Sequence, residues 1–232
     1  MKTHPILLLW DIDGTILHSG GAGVEAIRQA MRQRFGLVDD LRGVSMAGRT
    51  DVAIFQEICL RHPGTKMSPE VLLRAYLDEL PVWLPKRQGE VFPGVRELLE
   101  WAHRHSEVHN VLLTGNMKEG AYHKLRHYGL ADYFEFGAFS DDSSVRNDLG
   151  PIALGRAREC LKKDFRLDQT WVIGDTPFDV ACARSLGCKV LAVATGEHSV
   201  EQLSACKPDA VLSKLADLDE VKALLSGCQN EG

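Results

Sequence analysis

The chain is predicted to fold as an α/β protein: a Rossmann-like, doubly wound parallel sheet with an all-helical cap inserted after its first strand. Three observations carry this expectation. Short apolar, β-rich runs alternate with helical patterns along most of the sequence, the pattern of a parallel sheet with helices on both faces. The first run, ILLLW at 6–10, is continuously apolar, as a strand covered on both faces must be. Between about residues 17 and 89 the alternation stops, and only helical patterns occur over far more chain than a crossover uses.

Strands are expected at 6–10, 108–113, 134–139, 171–173, 190–194 and 210–212, each rich in apolar residues and followed by turn formers. The helices between them are expected at 93–104, 118–128, 151–163, 176–186, 199–205 and 218–225. Several of these open with Pro, Ser or Thr and close near Gly. Helical patterns at 24–35, 51–61 and 69–83 fill the insert. Its borders, His18-Ser19-Gly20-Gly21 and Lys86-Arg87-Gln88-Gly89, are polar and glycine-containing, which suits a pair of linkers on which a lid hinges. The expected division is therefore a core of residues 1–17 and 90–232 and a cap of residues 18–89, with 227–232 as a frayed tail.

Composition narrows the function classes. With 232 residues, 44% hydrophobic and 25% charged, the chain can bury a substantial core. A net charge of -5, with basic runs no longer than Lys162-Lys163, argues against nucleic-acid binding, so an anionic ligand must be held locally. The N-terminal apolar stretch is too short for a signal peptide or a membrane span, and a cytoplasmic protein is expected, as a monomer or homodimer. Six cysteines without metal-ligand spacing read as reduced core thiols.

The chemistry collects at the ends of the strands. Residues i and i+2 of a strand face the same way, so Asp11 and Asp13 of WDIDGT project together while Ile12 turns to the opposite side. Two solvated acids at an exposed strand end would look alike in sequence, but the apolar run before them indicates a central strand. In WVIGDTPFDV, Asp175 follows a second strand and Asp179 lies one turn into the next helix. Acids from separate strands converging on one crevice repel unless a cation sits among them, and hard oxygen ligands favour Mg²⁺. Asp179 also suits a helix's first turn for its dipole alone. In VLLTGN, Thr114, Gly115 and Asn116 offer a hydroxyl, an approachable backbone and an amide at a third strand end. That is either a plausible anion cradle or a common turn.

Taken together, DxDGT, a Thr ending the next strand and GDTPxDV resemble the haloacid dehalogenase-like hydrolases, in particular the phosphoglycolate-phosphatase-like subgroup with a helical cap after the first motif. The resemblance covers nearly the whole chain. It implies that Asp11 attacks phosphorus to give an aspartyl-phosphate, and that Asp13 protonates the leaving oxygen and then activates water. It also implies Mg²⁺ held by Asp11, the main-chain carbonyl of Asp13 and Asp175, with Thr114 bonding the phosphoryl group; Asp179, from the acidic cluster itself, is expected as a further metal residue. The expected substrate is a small phosphorylated metabolite, of phosphoglycolate type. One departure stands out: related phosphatases offer a Lys before the fourth motif, where this chain has DDSSVRNDLGPIALGRA. Arg146 is expected to replace it, with Lys118 and Lys124 as the other cations in range.

Other readings differ in what they need. A dehalogenase needs no second acid, so Asp13 argues against it, since a halide leaves without a proton whereas an alkoxide does not. A sugar phosphomutase uses the same aspartyl-phosphate and is the closest alternative. The dinucleotide-like GAGVEA at Gly21, Gly23 and Ala26 lies too far past the strand end, and Asp11 and Asp13 would repel a pyrophosphate. In the insert, MAGRTDVAIF places Arg49 before Thr50, a helix N-cap. The resemblance sets this loop over the active site, so Arg49 is expected to recognise the non-reacting end of the substrate. Its alternative is a surface arginine paired with Asp51 or Glu25.

Overall fold

The structure, a computed structural model, describes residues 4–226. The chain begins with β1 (Ile6–Trp10) and β2 (Leu17–His18), continues through α1 (Ala22–Phe35), α2 (Asp51–Leu60) and α3 (Pro69–Trp83), and returns in β3 (Glu90–Val91). There follow α4 (Val95–Arg104), β4 (Val108–Leu113), α5 (Lys118–His127), β5 (Gly137–Ala138), α6 (Arg146–Leu161), β6 (Thr170–Gly174) and α7 (Pro177–Leu186). The chain closes with β7 (Lys189–Val193), α8 (Val200–Ala205), β8 (Ala210–Leu212) and α9 (Leu218–Ser226).

Six strands form one parallel sheet in the order β5-β4-β1-β6-β7-β8. The apolar run of β1 is explained by its central place. Leu8 and Trp10 enter a core under α4, α5 and α9, and Leu7 and Leu9 enter a second core under α6, α7 and α8. Both faces are covered, as a doubly wound sheet requires. Trp10 lies in register with Leu112 of β4 and Ile173 of β6, so the three strands end within one residue of one level. Asp11, Thr114 and Asp175 therefore emerge together at the carboxyl edge, beside the switch point where ligands of such sheets bind.

The three inserted helices build their own core around Met31, Phe55, Ile58, Leu72 and Tyr76, and form the helical cap. The two links to it are not bare linkers. Leu17 and His18 pair antiparallel with Val91 and Glu90, a two-residue ribbon with no strand signal in the sequence. Arg87 Nε closes the neck further by donating to the Gly20 carbonyl at 2.9 Å.

Other expectations needed correction at element ends. The strand expected at 134–139 pairs only at Gly137–Ala138, because a short 3₁₀ turn at Ala131–Tyr133 delivers the chain late to β4. The helix expected from 151 begins at Arg146 and carries Pro151 inside it. A proline in that position forgoes one intrahelical bond, yet the helix still buries Leu149, Ala153 and Ala157 against the sheet. Of the cysteines, Cys182 and Cys188 are buried, Cys59 and Cys206 half-buried, and Cys160 is exposed, so it is no core thiol. Cys228 and the expected tail at 227–232 lie outside the described residues. No helix among the described residues is long and apolar enough to cross a membrane.

Candidate active site

The turn after β1 is shaped by its neighbour strand. Asp11 N donates to the Ile173 carbonyl at 3.0 Å, which prolongs the β1–β6 pairing into the site. Gly14 takes φ +85°, and a Cβ there would lie 2.2 Å from Asp175 Oδ2. A glycine is therefore required where the DxDGT turn passes under Asp175. The next residue, Thr15, is fully buried and donates to Asp175 Oδ1 at 3.0 Å.

Asp11, Asp175 and Asp179 form a buried trio in which one carboxylate oxygen from each lies within 4.8 Å of the others. Burial pushes the Asp11 carboxyl up to about 6 against the pull of Arg146, and burial together with Asp179 and Asp11 pushes Asp175 up to about 8. Three hard oxygen donors, desolvated and mutually repelling, fit a small divalent cation such as Mg²⁺. Asp179 serves two ends at once. Its Oδ2 accepts from Thr176 N at 3.0 Å and Thr176 Oγ1 at 2.8 Å, capping α7, while Oδ1 pairs with Arg146. The helix-cap and site readings of this residue are thus compatible.

Two cations divide the acids between them. Arg146, in the first turn of α6, is buried and places Nη2 3.2 Å from Asp11 Oδ1 as well as against Asp179. Burial alone would lower its pKa, but Asp179 and Asp11 together raise it well above the usual guanidinium value. Its Nε is buried without a hydrogen-bond partner among the described residues. Lys124, on α5, is equally buried and donates to Asp13 Oδ2 at 2.5 Å and to Asn116 Oδ1 at 2.7 Å. Asp13 shares the cavity with Asp11, yet its carboxylate does not join the acidic trio; Asn116 Nδ2 holds it as well, at 2.8 Å. Lys118, the other cation expected in range, is exposed and lies outside this cavity.

Thr114 is fully buried at the end of β4, and its Oγ1 accepts from Asn116 Nδ2 at 2.8 Å. Gly115 lies under the cap. Its carbonyl accepts from Asp51 N at 2.7 Å, and a Cβ at Gly115 would lie 2.1 Å from the Arg49 carbonyl oxygen. The N-terminus of α2 is therefore docked on the core. Thr50 Oγ1 donates to the Ser144 carbonyl at 2.7 Å, Val52 N to Ser140 Oγ at 3.0 Å, and Met117 N to Asp51 Oδ2 at 2.8 Å. Burial pushes the Asp51 carboxyl up to about 6. Sequence reasoning missed Asp51 as a cavity residue and gave Tyr76 no role beyond a helical pattern. An acid directly after an N-cap reads as a dipole partner, and an aromatic within a helical stripe reads as core.

Arg49 borders the cavity, but it pairs with neither Asp51 nor Glu25. Its guanidinium pairs with Glu57, nearly two turns into α2, and donates to the carbonyls of Ser45 at 3.0 Å and Ala53 at 3.3 Å.

This geometry has relatives. The haloacid dehalogenase-like hydrolase profile matches residues 8–193. A phosphoglycolate phosphatase of Vibrio vulnificus (strain YJ016) is 27% identical over 221 residues, covering 93% of this chain and 95% of that protein. Among solved structures, CbbY from Rhodobacter sphaeroides in complex with phosphate superposes with a TM-score of 0.74 at 16% identity, over 92% of this chain and 96% of that one. A β-phosphoglucomutase candidate from Bacteroides vulgatus superposes with a TM-score of 0.69 at 19% identity, over 99% and 92%. Because the profile spans the strands that bring Asp11, Thr114 and Asp175 to one edge, the chain belongs to the haloacid dehalogenase-like hydrolases.

Proposed function

We propose that this hydrolase is a Mg²⁺-dependent phosphatase that cleaves a small phosphorylated metabolite through an aspartyl-phosphate on Asp11. The observation that carries the reading is the pairing of buried Asp11 with Arg146 inside an acidic trio, at the floor of a cavity closed by the inserted helices. Hydrolase relatives named as phosphatases support it.

Asp11 attacks phosphorus as the P–O bond to the leaving alcohol breaks, and Asp13 gives the leaving oxygen its proton. Asp13 then takes a proton from water, whose oxygen attacks phosphorus and breaks the bond to Asp11, freeing inorganic phosphate. Arg146 neutralises Asp11 at the floor of the cavity, and Lys124 with Asn116 orients Asp13. Thr114, Gly115 and Asn116, at the end of β4, receive the phosphoryl group. Asp11, Asp175, Asp179 and the main-chain carbonyl of Asp13 would hold the Mg²⁺, which when bound offsets the charge developing on the phosphoryl oxygens.

Residues 18–89 act as the cap that opens on its ribbon-tied neck to admit substrate and excludes water when closed. Arg49 acts on specificity from within it, by fixing the loop that borders the cavity. The deciding experiment is phosphate release from a panel of phosphorylated metabolites with Mg²⁺, beside the Asp11→Asn enzyme. Loss of nearly all release in that variant supports the reading. Release of halide from a haloacid without metal, or isomerisation of a sugar phosphate faster than phosphate release, overturns it.

A further inference from the structure

The cavity describes the part of the substrate that does not react. It encloses about 370 Å³, within the range of roughly 300–1,000 Å³ of small-molecule sites. Its floor is polar, made by Asp11, Asp13, Thr114, Lys124 and Arg146. Its roof is apolar: Val24 and Ile27 from one face of α1, Met46 from the loop before α2, Ile54 from α2 and Tyr76 from α3. Ile27, Ile54 and Tyr76 also belong to the cap's own core, so packing fixes this wall in place.

Charge points the same way. Each lysine, arginine and histidine bordering the cavity is already engaged: Arg146 with Asp11 and Asp179, Lys124 with Asp13, Arg49 with Glu57, and His18 with Glu90. Asp51 and Glu197 border it as further carboxyl groups. A carboxylate or second phosphate on the leaving group would give up part of its hydration there with no uncommitted cation to receive it, whereas an apolar group gains by leaving water.

We infer that the leaving group is an uncharged, mainly apolar alcohol, alkyl or aryl, and not a short hydroxy acid or a phosphorylated sugar. This rests on the phosphatase reading for the orientation of the phosphate toward the floor. A hydroxyl on such a group finds an acceptor in Asp51.

The test separates binding from turnover by using non-hydrolysable phosphonates with the wild-type Mg²⁺ enzyme. Calorimetry compares 2-phenylethylphosphonate, which mimics benzyl phosphate, with 3-phosphonopropionate, which mimics phosphoglycolate. The aryl compound is expected to bind at least about tenfold tighter, a ratio that one buried ring readily gives. Met46→Lys, on a half-buried loop position, adds a cation to the roof and should shrink that ratio by about tenfold. Equal or tighter binding of the carboxylate compound, binding of neither, or a ratio unmoved by Met46→Lys overturns the inference. Tight binding of the aryl phosphonate with no release of phosphate from benzyl phosphate leaves the apolar preference of the pocket standing and removes the phosphatase reading, and with it the description of that group as a leaving group.

Discussion

Arg146 Nη2 lies 3.2 Å from Asp11 Oδ1 and holds Asp179 as well, with all three side chains buried. A pair of this kind adds little net stability when intact, but losing one partner strands the other charge, at a cost of about 3–5 kcal/mol. Arg146→Ala is therefore expected to lower both stability, by about that amount, and turnover, by at least about a hundredfold. Arg146→Lys keeps a cation in reach and should recover a substantial part of both. Denaturant unfolding and steady-state rates on the same variants check this, and an Arg146→Ala enzyme with ordinary kinetics would move the role to Lys124.

Asp13 is held by Asn116 and Lys124 at a distance from the acidic trio, which suits a residue that moves protons. Asp13→Asn should slow alkyl phosphates by about two to four decades and aryl phosphates less, because a phenolate leaves more readily without a proton. Equal losses on both would count against Asp13 as the acid. Asp11→Asn should abolish turnover of both while the fold, followed by circular dichroism, is unchanged.

The raised acids set a pH dependence with a definite sign. Without metal, Asp175 moves from an ordinary 3.8 to about 8 and Asp11 to about 6. The folded protein then binds more protons than the unfolded chain across that window. The stability linked to these groups is fully present below their ordinary value and is lost as pH rises through 6 and then 8. Mg²⁺ competes with those protons, so its affinity should rise over the same window, with proton release on binding. Melting temperatures measured in chelator and in excess Mg²⁺ should diverge as pH increases from 5 toward 8. A constant offset at every pH would show that the trio does not hold the metal.

How much of this was legible in the sequence depends on whether the signal was local. Asp11, Thr114 and Asp175 each follow an apolar run, and strand register brings them together, so they could be read from the chain alone. The ribbon of Leu17 and His18 with Val91 and Glu90 could not, because two-residue strands carry no periodicity and pair across the whole insert. Lys124 reads as one of several basic residues in the last turn of a helix. Only the folded structure shows that its amine reaches Asp13 and Asn116. The early start of α6 was hidden by Pro151, which ordinarily marks a first turn and here lies inside the helix.

Arg49 and Glu57 supply the last prediction. The guanidinium meets Glu57 and the carbonyls of Ser45 and Ala53, so it ties the loop carrying Met46 to the first turns of α2. Both side chains are partly exposed, and the pair itself contributes no more than about 1 kcal/mol to stability. Its effect should instead appear in specificity. Arg49→Ala frees the loop and should raise KM for esters that touch Met46, while a methyl phosphate too small to reach the roof keeps its KM. Glu57→Gln leaves the guanidinium in place but uncompensated beside the cavity. That variant should gain roughly one decade in kcat/KM on a carboxylate-bearing ester, the usual worth of a charge-assisted contact, with little change on an uncharged one. If Glu57→Gln shifts neither substrate, Arg49 does not face the leaving group. If Arg49→Ala damages methyl phosphate as much as the larger esters, its role is to dock the cap and not to set specificity.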